Sequence, residues 1–139
     1  MTKTLCTELF NSYARHVDFA QYDQFVELFT EDAVLDLGFR LEGKAAIARS
    51  MSKRNPELRS RHVLTNIYIE ELDDTHATGI AYLSLYRYTG PETATDAPVP
   101  FDSPSAVGHY TNQFRYAEGG WKISSCKLDL AFRNPNHFD

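Results

Sequence analysis

Asp18 and His62 supply a carboxylate and an imidazole, the parts of a general base and the acid that orients it. A carboxylate bonded to one imidazole nitrogen fixes the tautomer. It also stabilises the cation formed when the other nitrogen takes a proton. His62 lies in Ser60-Arg61-His62-Val63-Leu64-Thr65-Asn66. Strand alternation there puts His62, Leu64, Asn66 and Tyr68 on one face, and Val63, Thr65, Ile67 and Ile69 on the other. A histidine and an asparagine facing helix-covered sheet need polar partners or a cavity. By frequency, the commoner outcome is a satisfied core histidine and an acid that merely ends a helix. Of the other histidines, His16 ends a helix, His76 sits beside the Asp73-Asp74 turn, and His137 falls in a loose terminal tail. His109 alternates with Tyr110 and Asn112 and should face outward.

The elements that must position these side chains follow from periodicity. Leu5, Leu9, Tyr13 and Val17 form a helical stripe that Asp18 interrupts. A short helix carries Phe25, Val26, Leu28 and Phe29 and ends near 30–32. Residues 33–37 read as a strand, Gly38 as a turn and 39–42 as a second short strand. Gly43 opens a helix reaching about Arg54, and Pro56 stops the next turn. The period then becomes two. Segments 61–72, 75–89, 107–117 and 121–132 are long strand candidates rich in β-branched and aromatic residues. Residues 71–74 and 118–120 are turn signals that imply antiparallel neighbours. Residues 90–105 hold four of the six prolines and form a surface loop, either a lid or an interface arm. Helices followed by long strands give an α+β fold.

A chain of 139 residues is read as a single domain, 1–139. Its net charge of −5 argues against nucleic acid as a partner. The basic stretch Arg49, Lys53, Arg54, Arg59, Arg61 is broken by Asn55-Pro56. No apolar run suits a membrane span, and the start lacks a leader pattern. Cys6 and Cys126 provide neither a disulfide framework nor metal spacing, and they suit a cytoplasmic setting. The glycine signatures of dinucleotide, nucleotide-phosphate and serine-hydrolase sites are absent.

Four stretches carry a family resemblance. They are Tyr13-Ala14-Arg15-His16-Val17-Asp18 with Leu28-Phe29-Thr30-Glu31-Asp32-Ala33; Glu42-Gly43-Lys44-Ala45-Ala46-Ile47; Arg61-His62-Val63-Leu64-Thr65-Asn66; and Gly108-His109-Tyr110-Thr111-Asn112-Gln113-Phe114 with Gly119-Gly120-Trp121-Lys122-Ile123. Together they resemble the SnoaL-like branch of the NTF2-like superfamily, near scytalone dehydratase and hexachlorocyclohexane dehydrochlorinase. The resemblance implies a cone-shaped α+β barrel, in which a strongly curved antiparallel sheet wraps around N-terminal helices. It also implies that Asp18 and His62 match a catalytic Asp–His pair. Where the dehydratase has two tyrosines and a second histidine, this sequence has Val17, Leu37 and Arg87, so tyrosine-held water is not implied.

In such a fold a pocket for a small hydrophobic or aromatic molecule is expected between sheet and helices. Its lining is expected from Tyr13, Leu37, Leu64, Leu85, Arg87, Tyr110, Asn112 and Phe114. The expected activity is that of a lyase or isomerase needing no cofactor or metal. His62 removes a proton, and Arg87 or Asn112 steadies the developing oxyanion. Asp129 is the nearest acid for an isomerase-type alternative. A different class also fits the fold, namely a non-catalytic ligand-binding or assembly module such as the small subunit of a ring-hydroxylating dioxygenase. An Asp18–His62 contact opening into a cavity favours the enzyme, and a sealed His62 favours the module. An outer face of Val63, Ile67 and Ile69 with Tyr82, Tyr86 and Tyr88 predicts a homo-oligomer, a dimer or trimer.

Overall fold

The computed structural model describes residues 1–137. Its elements run α1 (Thr2–Asp18), α2 (Tyr22–Val26), β1 (Phe29–Asp36), β2 (Arg40–Glu42), α3 (Lys44–Ser52), β3 (Leu58–Glu71), β4 (His76–Thr89), a 3-10 turn (Pro91–Ala94), β5 (Ala106–Ala117) and β6 (Gly120–Arg133). The six strands form one curved sheet in the order β2-β1-β6-β5-β4-β3, with the helices packed on it. This is the mixed α+β architecture expected from the sequence. One pairing departs from the antiparallel rule. The chain leaves β1, builds α3 and crosses the molecule before β6 returns beside β1, so these two strands run parallel.

Helix α1 forms because apolar side chains recur on one face, but that face is rotated from the one the simplest stripe suggests. Cys6, Phe10, Tyr13, Ala14 and Val17 are buried, whereas Leu5 is exposed. The helix also includes Asp18 instead of stopping before it. Leu28 and Phe29 do not continue α2: Phe29 begins β1 and pairs with Ile123 of β6. The interior joins the α1 face to Phe25, Phe29, Leu35, Ile47, Leu83, Phe114 and Ile123, all at most 1% exposed. Gly79 lets α1 settle onto the sheet. A Cβ there would lie 2.7 Å from Ile69 Cδ1 and 2.9 Å from the Phe10 ring.

Strand β3 holds the largest departure from simple alternation. Its pairing with β4 shifts between Thr65 and Tyr68, and Asn66 adopts φ +52°. A bulge inserts one residue and reverses which side chains face inward. Ser60, His62 and Leu64 therefore point inward before it, and Ile67 and Ile69 after it, while Asn66 and Tyr68 are exposed. This corrects both the inward assignment of Asn66 and Tyr68 and the outward assignment of Ile67 and Ile69. The outer face retains Val63, Tyr82 and Tyr86. Tyr88 is engaged locally, its hydroxyl donating to the Glu92 carboxylate.

Gly108 marks a second close approach, where β5 shifts register against β6. A Cβ at this position would collide with the Asp129 carbonyl oxygen and lie 2.9 Å from Leu130 Cα. Both are backbone atoms and cannot rotate away. Gly108→Ala is therefore expected to destabilise the fold by about 1–3 kcal/mol, read as a lower urea midpoint in chemical denaturation.

Candidate functional site

Asp18 is the last residue of α1, at the end where the helix dipole disfavours negative charge. What holds the carboxylate there is a set of three donors from β3. Ser60 Oγ donates to Oδ1 at 2.8 Å, and the His62 backbone N–H donates to Oδ2 at 2.8 Å. His62 Nδ1 lies 2.6 Å from Oδ1. The Asp18 side chain is 6% exposed and that of His62 12%. An ionised carboxylate only accepts, so the Nδ1 contact carries its hydrogen on the ring, and in the neutral form of that ring the lone pair is at Nε2. The structure thus brings the two residues into direct contact, by placing the end of α1 against the start of β3.

His62 lies on the wall of a cavity of about 420 Å³. Five residues expected to line it do so: Tyr13, Leu37, Leu85, Arg87 and Tyr110. Leu64, Asn112 and Phe114 do not, and the sheet register gives the reason. The row His62–Leu85 borders the cavity, but the next row, Leu64–Leu83, is already closed core. Asn112 and Phe114 sit opposite Gly79 and Ala77, farther along β4, and Phe114 packs edge-on against Phe10 at 5.4 Å. Asn112 is 1% exposed and lies off the cavity wall, so it is no oxyanion donor to this cavity.

Sequence reasoning missed the wall contributed by Phe25, Phe39, Met51, Leu128 and Leu130, and also Lys53 and Arg54 beyond the end of α3. The basic stretch contained a usable signal, because the structure sends its members to different tasks. Arg59 donates to the carbonyls of Glu92, Thr95 and Ala97, tying the 90–105 segment back onto β3. Arg61 lies over the Phe19 ring, and Arg54 reaches the cavity.

Tyr13 and Tyr110 pack ring to ring at 5.2 Å, and Tyr13 stands 6.5 Å from the His62 ring. Burial pushes both phenols well above their usual range, so each keeps its proton and serves as a neutral hydrogen-bonding group. Burial likewise raises the Cys6 thiol to about 11 and raises Cys126 further, which makes both cysteines poor nucleophiles.

The remaining candidates lie elsewhere. His109 is on the outer face, 3.7 Å from Asp129, and that acid is half exposed and does not line the cavity, although Leu128 and Leu130 on either side of it do. His137 is not loose. Its Nδ1 lies 2.9 Å from Ser105 Oγ, and its ring packs on Phe101 at 4.9 Å. Among the described residues, no three His, Cys, Asp or Glu side chains converge as a metal ligand set. No helix there is long and apolar enough to cross a membrane.

Residues 3–127 match the sequence profile of the SnoaL-like domain. Among solved structures, a protein from Novosphingobium aromaticivorans provisionally described as a scytalone dehydratase superposes with TM-score 0.79 at 18% identity, over 98% of this chain and 88% of its own. A type 2 hexachlorocyclohexane dehydrochlorinase superposes with TM-score 0.78 at 17% identity, over 99% and 93%. Another N. aromaticivorans protein, provisionally described as an aromatic ring hydroxylase, gives TM-score 0.74 at 24% identity, over 94% and 89%. Likeness at these identities establishes a shared fold. No curated protein matches the sequence.

Proposed function

Because the chain belongs to the SnoaL-like domain family, we propose that it is a cofactor-independent lyase or isomerase acting on a small hydrophobic or aromatic molecule. One observation carries this reading: a carboxylate held by three donors lies 2.6 Å from the imidazole of a histidine on a cavity wall. His62 Nε2 takes a proton from a carbon next to an electron-withdrawing group. Asp18 holds the ring and offsets the charge of the imidazolium that forms. The carbon–hydrogen electron pair then either expels a leaving group, giving an alkene, or shifts toward an oxygen before reprotonation. Arg87 is the cavity group that meets that developing negative charge. The open cavity beside His62 favours this chemistry over an assembly module, in which His62 would be sealed in the core.

Incubation in D2O with a panel of small aromatic carbonyl and halogenated compounds tests the reading, monitored by proton NMR. At least one carbon acid is expected to lose its C–H signal, and the loss is expected to disappear in His62→Ala. Exchange that persists unchanged in His62→Ala contradicts the reading.

The outer sheet face supports self-association. Val63, Ser84, Val107 and Phe132 stand in one row across β3, β4, β5 and β6, with Val63 45% and Phe132 72% exposed. Tyr82 and Tyr86 flank this row. A homo-oligomer covers such a face. Multi-angle light scattering is expected to give a multiple of 15.9 kDa, and Phe132→Glu to lower it; a single 15.9 kDa species in the unsubstituted protein contradicts it.

A further inference from the structure

The polar groups on the cavity wall are unusual for an acidic protein. Besides the two tyrosine hydroxyls they are Ser50, Ser60, His62, Lys53, Arg54 and Arg87, with no carboxylate among them, although the chain has 19 acidic residues. Asp18 stands behind His62, occupied by its three donors. Two other arginines find negative partners: Arg115 pairs with Asp32 at 2.6 Å and Arg40 with Glu42 at 2.8 Å. No ion pair involves Arg54 or Arg87 among the described residues.

Arg54 is nevertheless fixed in place. Arg54 Nε donates to the Tyr22 hydroxyl at 3.2 Å, and its guanidinium lies 5.7 Å from that ring's centre. This leaves its terminal nitrogens for another acceptor. Arg87 projects from β4 directly opposite Ser60, on the face that carries His62. Burial lowers its tendency to hold its proton, and the charge of Arg54 lowers it further. Two like charges thus face one partly dry space, an arrangement that an anion between them would relieve.

We propose that Arg54 and Arg87 form a carboxylate-binding subsite, and that the molecule presented to His62 is an aromatic or alicyclic carboxylate. The proposal rests on the reading of His62 as a base and names the substrate class for it. A planar guanidinium matches a carboxylate through paired N–H donors, and two of them account for both oxygens. The apolar side chains of Phe25, Leu37, Leu85 and Leu128, with the rings of Tyr13 and Tyr110, take the ring. On the sheet, Arg87 and His62 are diagonal neighbours, a spacing of about 7–8 Å. A carboxylate held at Arg87 therefore puts a carbon a few bonds away within reach of His62.

Calorimetric titration of 2-naphthoate, 2-naphthamide and inorganic phosphate into the whole protein tests this. The carboxylate is expected to bind at least about tenfold more tightly than its neutral amide. Arg87→Gln is expected to remove about tenfold of that preference, read as the ratio of the amide and acid Kd values. Arg54→Gln is a second variant with the same expected loss. His62→Ala should keep the carboxylate preference. Equal binding of acid and amide, binding of neither, or Arg87→Gln and Arg54→Gln that both keep the full preference overturns the subsite. Phosphate binding more tightly than naphthoate also overturns it, by assigning the arginines to a phosphate. If naphthoate binds as expected but no carbon acid exchanges in D2O, the base reading fails while the subsite stands. If exchange depends on His62 and the acid shows no advantage over the amide, the reverse holds.

Discussion

Replacing His62 by alanine is expected to lower turnover by about 10²–10⁴-fold, the range that a positioned general base contributes. Asp18→Asn should cost a similar amount while keeping the fold, because the replacement is nearly isosteric but carries no charge. Asp18 contacts His62 Nδ1 at 2.6 Å, so its removal acts on the ring that takes the proton. An asparagine at this position offsets none of the imidazolium charge. It can also present its amide group to the ring and favour the wrong tautomer. The double variant should lose little more than the worse single one, since the two residues act as a unit. The rates come from the D2O exchange assay with the four proteins side by side. Losses that multiply independently would place the base elsewhere.

Asp18→Ala is expected to behave differently and to unfold more easily, by about 3–5 kcal/mol in urea denaturation. The carboxylate accepts from Ser60 Oγ, the His62 backbone N–H and His62 Nδ1, all partly buried. Alanine leaves those donors without an acceptor, and a small void admits water only imperfectly. The contact also fastens the end of α1 to β3, so its loss should loosen the cavity wall near Val17. Asp18→Asn retains an oxygen for the backbone N–H and should fall between the two proteins. A loss below about 1 kcal/mol for Asp18→Ala would mean that the three hydrogen bonds do not persist in solution.

The strands were legible because their signal is local. Segments 75–89, 107–117 and 121–132 alternate strongly and lie within one or two residues of β4, β5 and β6. The Asp18–His62 contact was visible only through the family resemblance, because nothing local links the end of a helix to a strand so far along the chain. Four errors have physical causes. A bulge at Asn66 inverts the pattern of β3, and an alternation rule cannot anticipate an inserted residue. Asn in left-handed backbone is tolerated more readily than most residues, so Asn66 inside an apolar strand was the available clue. Phe29 suits a helix face as well as a strand, and its pairing with Ile123 decided the matter. The cavity's lower limit is set by which rows α1 covers, so Leu64, Asn112 and Phe114 shared a face with the lining residues without reaching it. Arg54 was missed because a lysine–arginine pair before a proline reads as solvated surface. Tyr22 draws it inward.

The proposed chemistry turns on one ring: His62, held through Nδ1 and with Nε2 facing a molecule in the cavity. Long-range proton–nitrogen NMR on 15N-histidine-labelled protein reads both ring nitrogens directly, with and without 2-naphthoate. The account predicts a neutral ring protonated at Nδ1, a lone-pair Nε2 signal that shifts when the ligand binds, and loss of that tautomer in Asp18→Asn. A His62 ring protonated at Nε2 alone, or an Nε2 signal indifferent to a ligand bound in the cavity, would contradict it.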